Sequence, residues 1–392
     1  MAPATSLEPI LKFCEAEQPW LLDTIRALAA IESPTHNKSA VDACGRELQR
    51  RLEAIGARVT RLTQDAAGDH LRGEFGNPST SLGAGGVKQV LMLGHFDTVW
   101  DIGQIRSMPV REVDGRLYGP GVFDMKAGIG LGMLAARALA ELPPSSYRLV
   151  MLWTTDEETG SDTSRALIED EARRSAAVLV LEPSLPGGAL KTGRKGCGDF
   201  ELIVRGVSAH AGIDPAKGAS AIRELARQIL RLEELQEPSR GVTLNVGVVR
   251  GGTRANVVAD EARAIIDVRV PTMADGDRVR AALAALRPEI PGTSLEVRGG
   301  IERPPLERTD GVVRLYHTAR AVAAELGRQL GEGSTGGGSD GNFTAALGVP
   351  TLDGLGAVGD GAHALHEHVV VGELPWRAAL LAGLVKHLSS VF

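Results

Sequence analysis

The sequence predicts an α/β fold: a mixed sheet, largely parallel at its centre and sandwiched by helices, with a smaller α+β unit inserted into it. Three observations carry this. Segments of helical period alternate with short apolar runs up to about residue 195. His95, Asp97, Glu157, Glu158 and Glu182 fall at the ends of those runs, and open α/β sheets bind ligands beyond the carboxyl ends of their strands. The pattern then changes near residue 195 and returns near residue 308.

The elements follow in order. Residues 39–57 have apolar positions at helical spacing, with Ser39 at the expected N-cap and Gly56 near the end. GVKQVLMLGHFD (86–97) reads as a buried strand ending at His95 and Asp97. Residues 125–142 read as a helix. YRLVMLWTTDEE (147–158) and AAVLVLEP (176–183) are two more buried strands. Beyond residue 195, strands are expected over 199–210, 242–252, 261–270 and 293–300, with helices over 218–235 and 274–290. This sets an inserted domain at 196–307 within a larger one formed by 1–195 and 308–392. The C-terminal part holds a glycine-rich loop, GEGSTGGGSDGN (331–342), and a final helix. No fixed-period repeat is visible.

Composition narrows the function. The chain has 392 residues, 43% hydrophobic and 23% charged, as expected of a soluble globular protein with ample core. A formal net charge of −6 offers no basic field for nucleic acid or an anionic membrane. No apolar run approaches the roughly 20 residues needed to span a bilayer. Cys14, Cys44 and Cys197 are odd in number and far apart, which argues against a disulfide framework. The N-terminal residues lack the features of a secretory signal, so a cytoplasmic location is expected.

The stretch TTDEETGS (154–161) places Asp156, Glu157 and Glu158 side by side at the mouth of an apolar strand. Adjacent carboxylates repel and are costly to desolvate, so either the loop is solvated or a cation sits there. Metal-ligand types gather at the other strand ends and loops: His95 and Asp97 in GHFDTV, Asp124 in GPGVFDMKAG, Glu182 in VLEPS and His363 in GDGAHALHE. Imidazole nitrogen with carboxylate oxygen suits zinc, with manganese or cobalt as substitutes. A carboxylate shared between two cations would account for the clustering.

GHFDTV, YGPGVFDMKAG, TTDEETGS and LEPS, in this order, resemble the di-zinc aminoacylase/carboxypeptidase G superfamily of metallopeptidases. The likeness runs from about residue 90 onward. TDEETGSDTSR, EARRSAAVLVLEPS and RGVSAHAGIDPAKGASAI place the sequence nearest to glutamate carboxypeptidases. The resemblance implies a zinc exopeptidase-like catalytic domain holding two Zn2+ per subunit. His95 and Glu182 would bind one ion, Glu158 and His363 the other, and Asp124 would bridge them. His366 is the alternative to His363. Asp97 would fix the His95 tautomer, and Glu157 would be the general base. The 196–307 insert would be a lid and dimerisation domain in a homodimer. From it His210 would reach a neighbouring active site and stabilise the oxyanion, while Asn256 and Arg269 would hold the substrate's free carboxylate. The loop GGGSDGN would line the pocket. The implied activity is hydrolysis of the amide bond to a C-terminal amino acid, glutamate foremost, in a small peptide or N-acyl amino acid.

Blander readings exist for each residue. Asp124 could cap the following helix. Glu182 could sit in a solvated turn, His210 on the surface, Arg269 in a strand ion pair and Asn256 in a turn. His36, His70, His317 and His387 lack motif context and are expected to be structural or exposed. Rival functions are an N-acyl-amino-acid deacylase, a di- or tripeptidase, and a non-catalytic binding scaffold. Nucleotide binding fails because the glycine-rich loop lacks a GK[ST] ending.

Overall fold

Three apolar runs alternate their side chains between two buried faces. Val90 and Met92, Met151 and Trp153, and Ala177 and Leu179 enter one core. Leu91 and Leu93, Val150 and Leu152, and Val178 and Val180 enter another. A strand buried on both faces has no polar side, which is why these runs are continuously apolar. The computed structural model describes residues 6–76, 88–142 and 147–388. Positions 86 and 87 of the expected strand lie outside the described residues.

The chain divides into two compact units. The larger comprises Met1–Thr192, Arg308–Ser334 and Ser339–Phe392. Its six-stranded sheet runs in the order Arg58–Leu62, His70–Phe75, Tyr147–Thr154, Lys88–His95, Ser175–Val180 and Thr351–Leu352. The last four are parallel and the first two antiparallel, so the sheet is mixed. In register, His95 lies opposite Thr154 and Leu93 opposite Val180. Three strands therefore end together, and the segments leaving them start from one edge.

Helices Glu8–Ala16, Gln18–Ala30, Lys38–Ala54, Ala127–Ala140, Asp310–Glu325 and Leu374–Leu388 feed side chains into the first core. Arg165–Arg173 and Gly341–Ala346 cover the second through Ile168, Ala172 and Phe343. The helix starting at Lys38 is capped by Asn37, whose side chain accepts from Ala40 N–H. Ser39 is not the cap; its hydroxyl donates to Asn37 Oδ1 at 2.9 Å. Among the described residues, no helix is long and apolar enough to cross a membrane.

The smaller unit comprises Gly193–Glu307 with Thr335–Gly338. Its four-stranded antiparallel sheet runs Thr243–Gly251, Glu261–Val270, Gly196–Arg205, Ser294–Gly299. Helices Ala221–Glu233 and Met273–Ala284 share its core. The glycine-rich loop divides: residues 335–338 belong to this unit, while Ser339 to Asn342 are buried in the larger one.

The buried helix Ala127–Ala140 comes close to the end of the Ser175–Val180 strand at Gly128, where an added Cβ would lie 2.1 Å from Leu181 O. Alanine in a helix gains about 1 kcal/mol over glycine, but an overpacked core costs about 1–3 kcal/mol or more. With rigid backbone as the obstacle, the clash wins. Gly128→Ala is expected to lower the denaturation midpoint, measured by chemical unfolding.

Candidate metal centre

His95 is the last residue of its strand, and its ring is buried. Its Nδ1 faces Asp97, 3.1 Å from the backbone carbonyl and 3.3 Å from Oδ1. Its Nε2 points the other way, 3.3 Å from Asp124 Oδ1 and 3.5 Å from Glu182 Oε1. Asp124's second oxygen, Oδ2, lies 3.4 Å from His363 Nε2, which is also 3.1 Å from Glu158 Oε2. One carboxylate thus turns an oxygen to each of two imidazoles. Glu157 joins His95 and Glu182 in a second group whose ligand atoms lie within 4.8 Å of one another, beside the group His95, Asp124 and Glu158.

The approach of His95 Nε2 to Asp124 Oδ1 is not a hydrogen bond. His95 Nε2, Asp124 Oδ1 and Glu158 Oε1 are buried without a hydrogen-bond partner. Donors held at about 2.0–2.1 Å around a tetrahedral ion lie about 3.3–3.4 Å from each other. The observed spacings of 3.1–3.5 Å have that size. The set of imidazole nitrogen and carboxylate oxygen suits zinc and the neighbouring divalent metals. Electrostatics agree. Burial works against a charged His95, yet Asp124, Asp97 and Glu182 hold its pKa well above the ordinary imidazole range. Asp124 and Glu158 push His363 up to about 10. Burial raises Glu158, while His363 and His95 outweigh burial at Asp124 and lower it. The carboxylates call for positive charge beside each ring nitrogen.

Local structure explains how each ligand is placed. Asp124 lies in an irregular segment, Val122–Lys126, with φ −113° and ψ 93°. It does not cap the following helix, whose N-cap is Lys126 with no side-chain cap bond. The turn bearing Glu157 and Glu158 is tied down by buried Asp156, whose Oδ2 accepts from Thr163 N–H at 2.7 Å, Thr163 Oγ1 at 2.8 Å and Ser164 N–H at 3.2 Å. His70, which had no motif to mark it, is buried beneath this turn. Its ring nitrogens lie 3.0 Å from Thr155 Oγ1 and 3.1 Å from Thr163 Oγ1. Asp97 is fixed by Thr35 Oγ1, which donates to Oδ2 at 2.7 Å, and by Glu158 N–H at 3.3 Å. Glu182 is steadied from behind. Its backbone carbonyl accepts from Gly356 N–H at 2.9 Å, and Gly356 O accepts from the buried Arg377 Nε at 2.7 Å.

His363 has a left-handed backbone, φ +60°, in the turn after Asp360. His363 and His366 are both exposed and neither enters the two groups of candidate ligands; His363 is the one that lies beside Asp124 and Glu158. Seven of the residues singled out from sequence therefore meet in the larger unit: His95, Asp97, Asp124, Glu157, Glu158, Glu182 and His363. The other three lie in the smaller unit. His210 and Asn256 are neighbours there, through a bridge between His210 and Val257 and a bond from Ala211 N–H to Asn256 O at 3.0 Å. Arg269 is elsewhere on the sheet, its guanidinium bound to Asp267 at 3.0 and 2.7 Å. Of GGGSDGN, Asp340 turns into the core, accepting from Ser161 Oγ at 2.5 Å and Thr154 Oγ1 at 3.0 Å.

Comparison with known proteins decides the family. The model of peptidase family M20/M25/M40 matches residues 91–387, which include every residue of the centre. The chain belongs to this family. It is an M20 metallopeptidase, and its metal-dependent chemistry is the family's. Carboxypeptidase G2 of Pseudomonas sp. (strain RS-16) is 30% identical over 382 residues, 95% of this chain and 90% of that protein. Succinyl-diaminopimelate desuccinylase of Stenotrophomonas maltophilia (strain R551-3) is 31% identical over 343 residues, 82% of this chain and 89% of that one. The crystal structure of aminopeptidase PepT from Bacillus cereus shares the fold, with a TM-score of 0.78 at 24% identity over 95% of this chain and 99% of that one.

In this M20 peptidase Asp124 faces both imidazoles, whereas Glu158 is paired with His363 and Glu182 with His95. Asp124→Asn is therefore expected to lower bound metal more than Glu158→Gln or Glu182→Gln. Elemental analysis after equilibrium dialysis measures this.

Proposed function

We propose that the protein is a zinc carboxypeptidase that hydrolyses the amide bond to a C-terminal amino acid, glutamate foremost, of N-acyl or peptidyl substrates. The observation that carries this is the Asp124 carboxylate, which turns one oxygen to each of two imidazoles, with Glu157 beside His95 and Glu182. His95 and Glu182 would hold one ion, His363 and Glu158 the other, and Asp124 both. Two zinc ions, with cobalt or manganese as substitutes, would lower the pKa of a water and polarise the scissile carbonyl.

The chain's own residues do the rest. Asp97 accepts from His95 Nδ1 and so keeps Nε2 free for the ion. Glu157 takes the proton of the attacking water on a carboxylate oxygen and passes it to the departing amine nitrogen. In the smaller unit, His210 would donate to the carbonyl oxygen as negative charge develops there. Arg269 would receive the substrate's terminal carboxylate, for which its bidentate pairing with Asp267 is a template, and Asn256 would add a donor. With His210 serving a neighbouring site, the protein would be a homodimer, and the smaller unit its lid and dimerisation domain. The 30% identity to a carboxypeptidase over nearly the whole chain supports the choice of a C-terminal residue.

The second reading is a deacylase of N-acyl amino acids, favoured by the similar identity to a desuccinylase. Both readings predict that Glu157→Ala loses turnover by about two orders of magnitude or more while retaining metal. Retained turnover in that variant would end the mechanism. They separate on substrates offered to the zinc-loaded protein with and without chelator. Chelator-sensitive glutamate release from N-acyl and dipeptide substrates, lost on C-terminal amidation, is the outcome expected of a carboxypeptidase. Faster hydrolysis of N-acetyl and N-succinyl amino acids than of dipeptides would favour the deacylase.

A further inference from the structure

Glu367 lies four residues beyond His363 and is wholly buried. Its Oε1 accepts the backbone N–H of Phe123 at 2.8 Å and of Asp124 at 3.0 Å. Its Oε2 accepts the N–H of Gly121 at 3.0 Å and the indole N–H of Trp100 at 2.8 Å. Four donors thus converge on two oxygens, which nearly exhausts what one carboxylate accepts. Each donor comes from a segment bearing a residue of the metal centre. Trp100 lies three residues beyond Asp97, and Gly121 to Asp124 deliver the shared carboxylate. Glu367 itself closes the turn that carries His363, its N–H donating to Ala364 O at 2.9 Å.

A carboxylate is the side chain this place requires. Every group facing it is a donor, and an ionised carboxylate accepts without donating. Glutamine would have the same shape but would turn an NH2 group toward two N–H groups, leaving them buried and unsatisfied. Such bonds to a charged acceptor are also the strong ones.

We propose that Glu367 is the positioning residue of the metal centre, clamping the backbone of Asp124 to the turn of His363 so that one carboxylate stays aligned with both imidazoles. It is not one of the candidate ligands, and its effect is on their spacing. This rests on the metal-centre reading, and the experiment keeps the two apart.

The wild-type chain, Glu367→Gln and Glu367→Asp are compared by competition for zinc against a chromophoric chelator, and by the visible absorption of their cobalt-substituted forms. Wild type should bind zinc and give a cobalt band. Glu367→Gln should bind zinc about 10–100-fold more weakly, the usual cost of losing a group behind a ligand, with a shifted cobalt band. Glu367→Asp, still an acceptor only, should recover part of the affinity. A Glu367→Gln protein with a lower melting temperature but wild-type zinc affinity and band would overturn the proposal, because Glu367 would then serve stability alone. Should Glu367→Gln not fold, Trp100→Phe removes one donor and should shift affinity in the same direction; unchanged affinity there also overturns it. A wild-type protein that binds no zinc would fell the metal-centre reading and this inference with it.

Discussion

Crowded negative charge at one edge of a sheet is the constraint on which the larger unit depends. Asp97, Asp124, Glu158 and Glu182 all lie within a few ångströms of two imidazoles. Two like charges 4 Å apart repel by about 4 kcal/mol at an effective dielectric constant near 20. Water would relieve that repulsion, but the Asp97 carboxylate and the His95 ring are shut away from it. Positive charge between the acids would relieve that repulsion, and the imidazole nitrogens mark where it belongs.

Holding the acids together before a cation arrives is a task for the backbone. The segments around the site are each fixed by a side chain that reaches into backbone bonds. Asp156 collects N–H groups of its own loop, Glu32 holds Gly103 and Ile105 at 2.9 Å, and Arg377 secures Gly356 behind Glu182. A site fixed from behind keeps its ligands in place without contributions from the ion. His363 keeps a left-handed backbone, φ +60°, which a non-glycine residue holds only when its surroundings impose it.

Much of this was legible in the sequence. The central strands stood out because burial on both faces makes them apolar throughout; His95, Glu157, Glu158 and Glu182 stood out because each follows such a run, whereas Asp124 and His363 were marked only by their motifs. The parts that stayed hidden depend on partners far along the chain. Asn37 and Ser39 are both good caps, and only the geometry of the turn selects Asn37. Asp124 before a helical pattern looks like a cap, but the irregular segment ahead of the helix turns it toward the imidazoles. His70 and Glu367 resemble ordinary polar residues, because what distinguishes them is the set of donors that folding gathers around them. The pairing of Arg269 with Asp267, two residues away on the same strand face, is likewise a feature that only the fold displays.

The larger unit is interrupted: the chain leaves it after Thr192 and re-enters at Arg308. On a ribosome, synthesis is vectorial, so the carboxylate-rich half of the centre emerges first and waits through the whole insertion. The bond from Trp100 to Glu367 closes a separation of 267 residues, and His363 arrives with it. The strand Thr351–Leu352 and the helix Leu374–Leu388 are also late. Long-range closure of this kind is slow and follows the formation of local structure. A nascent chain therefore carries the acids and one imidazole but not the second. The two imidazoles that share Asp124 can stand together only once the residues beyond the insertion have been made.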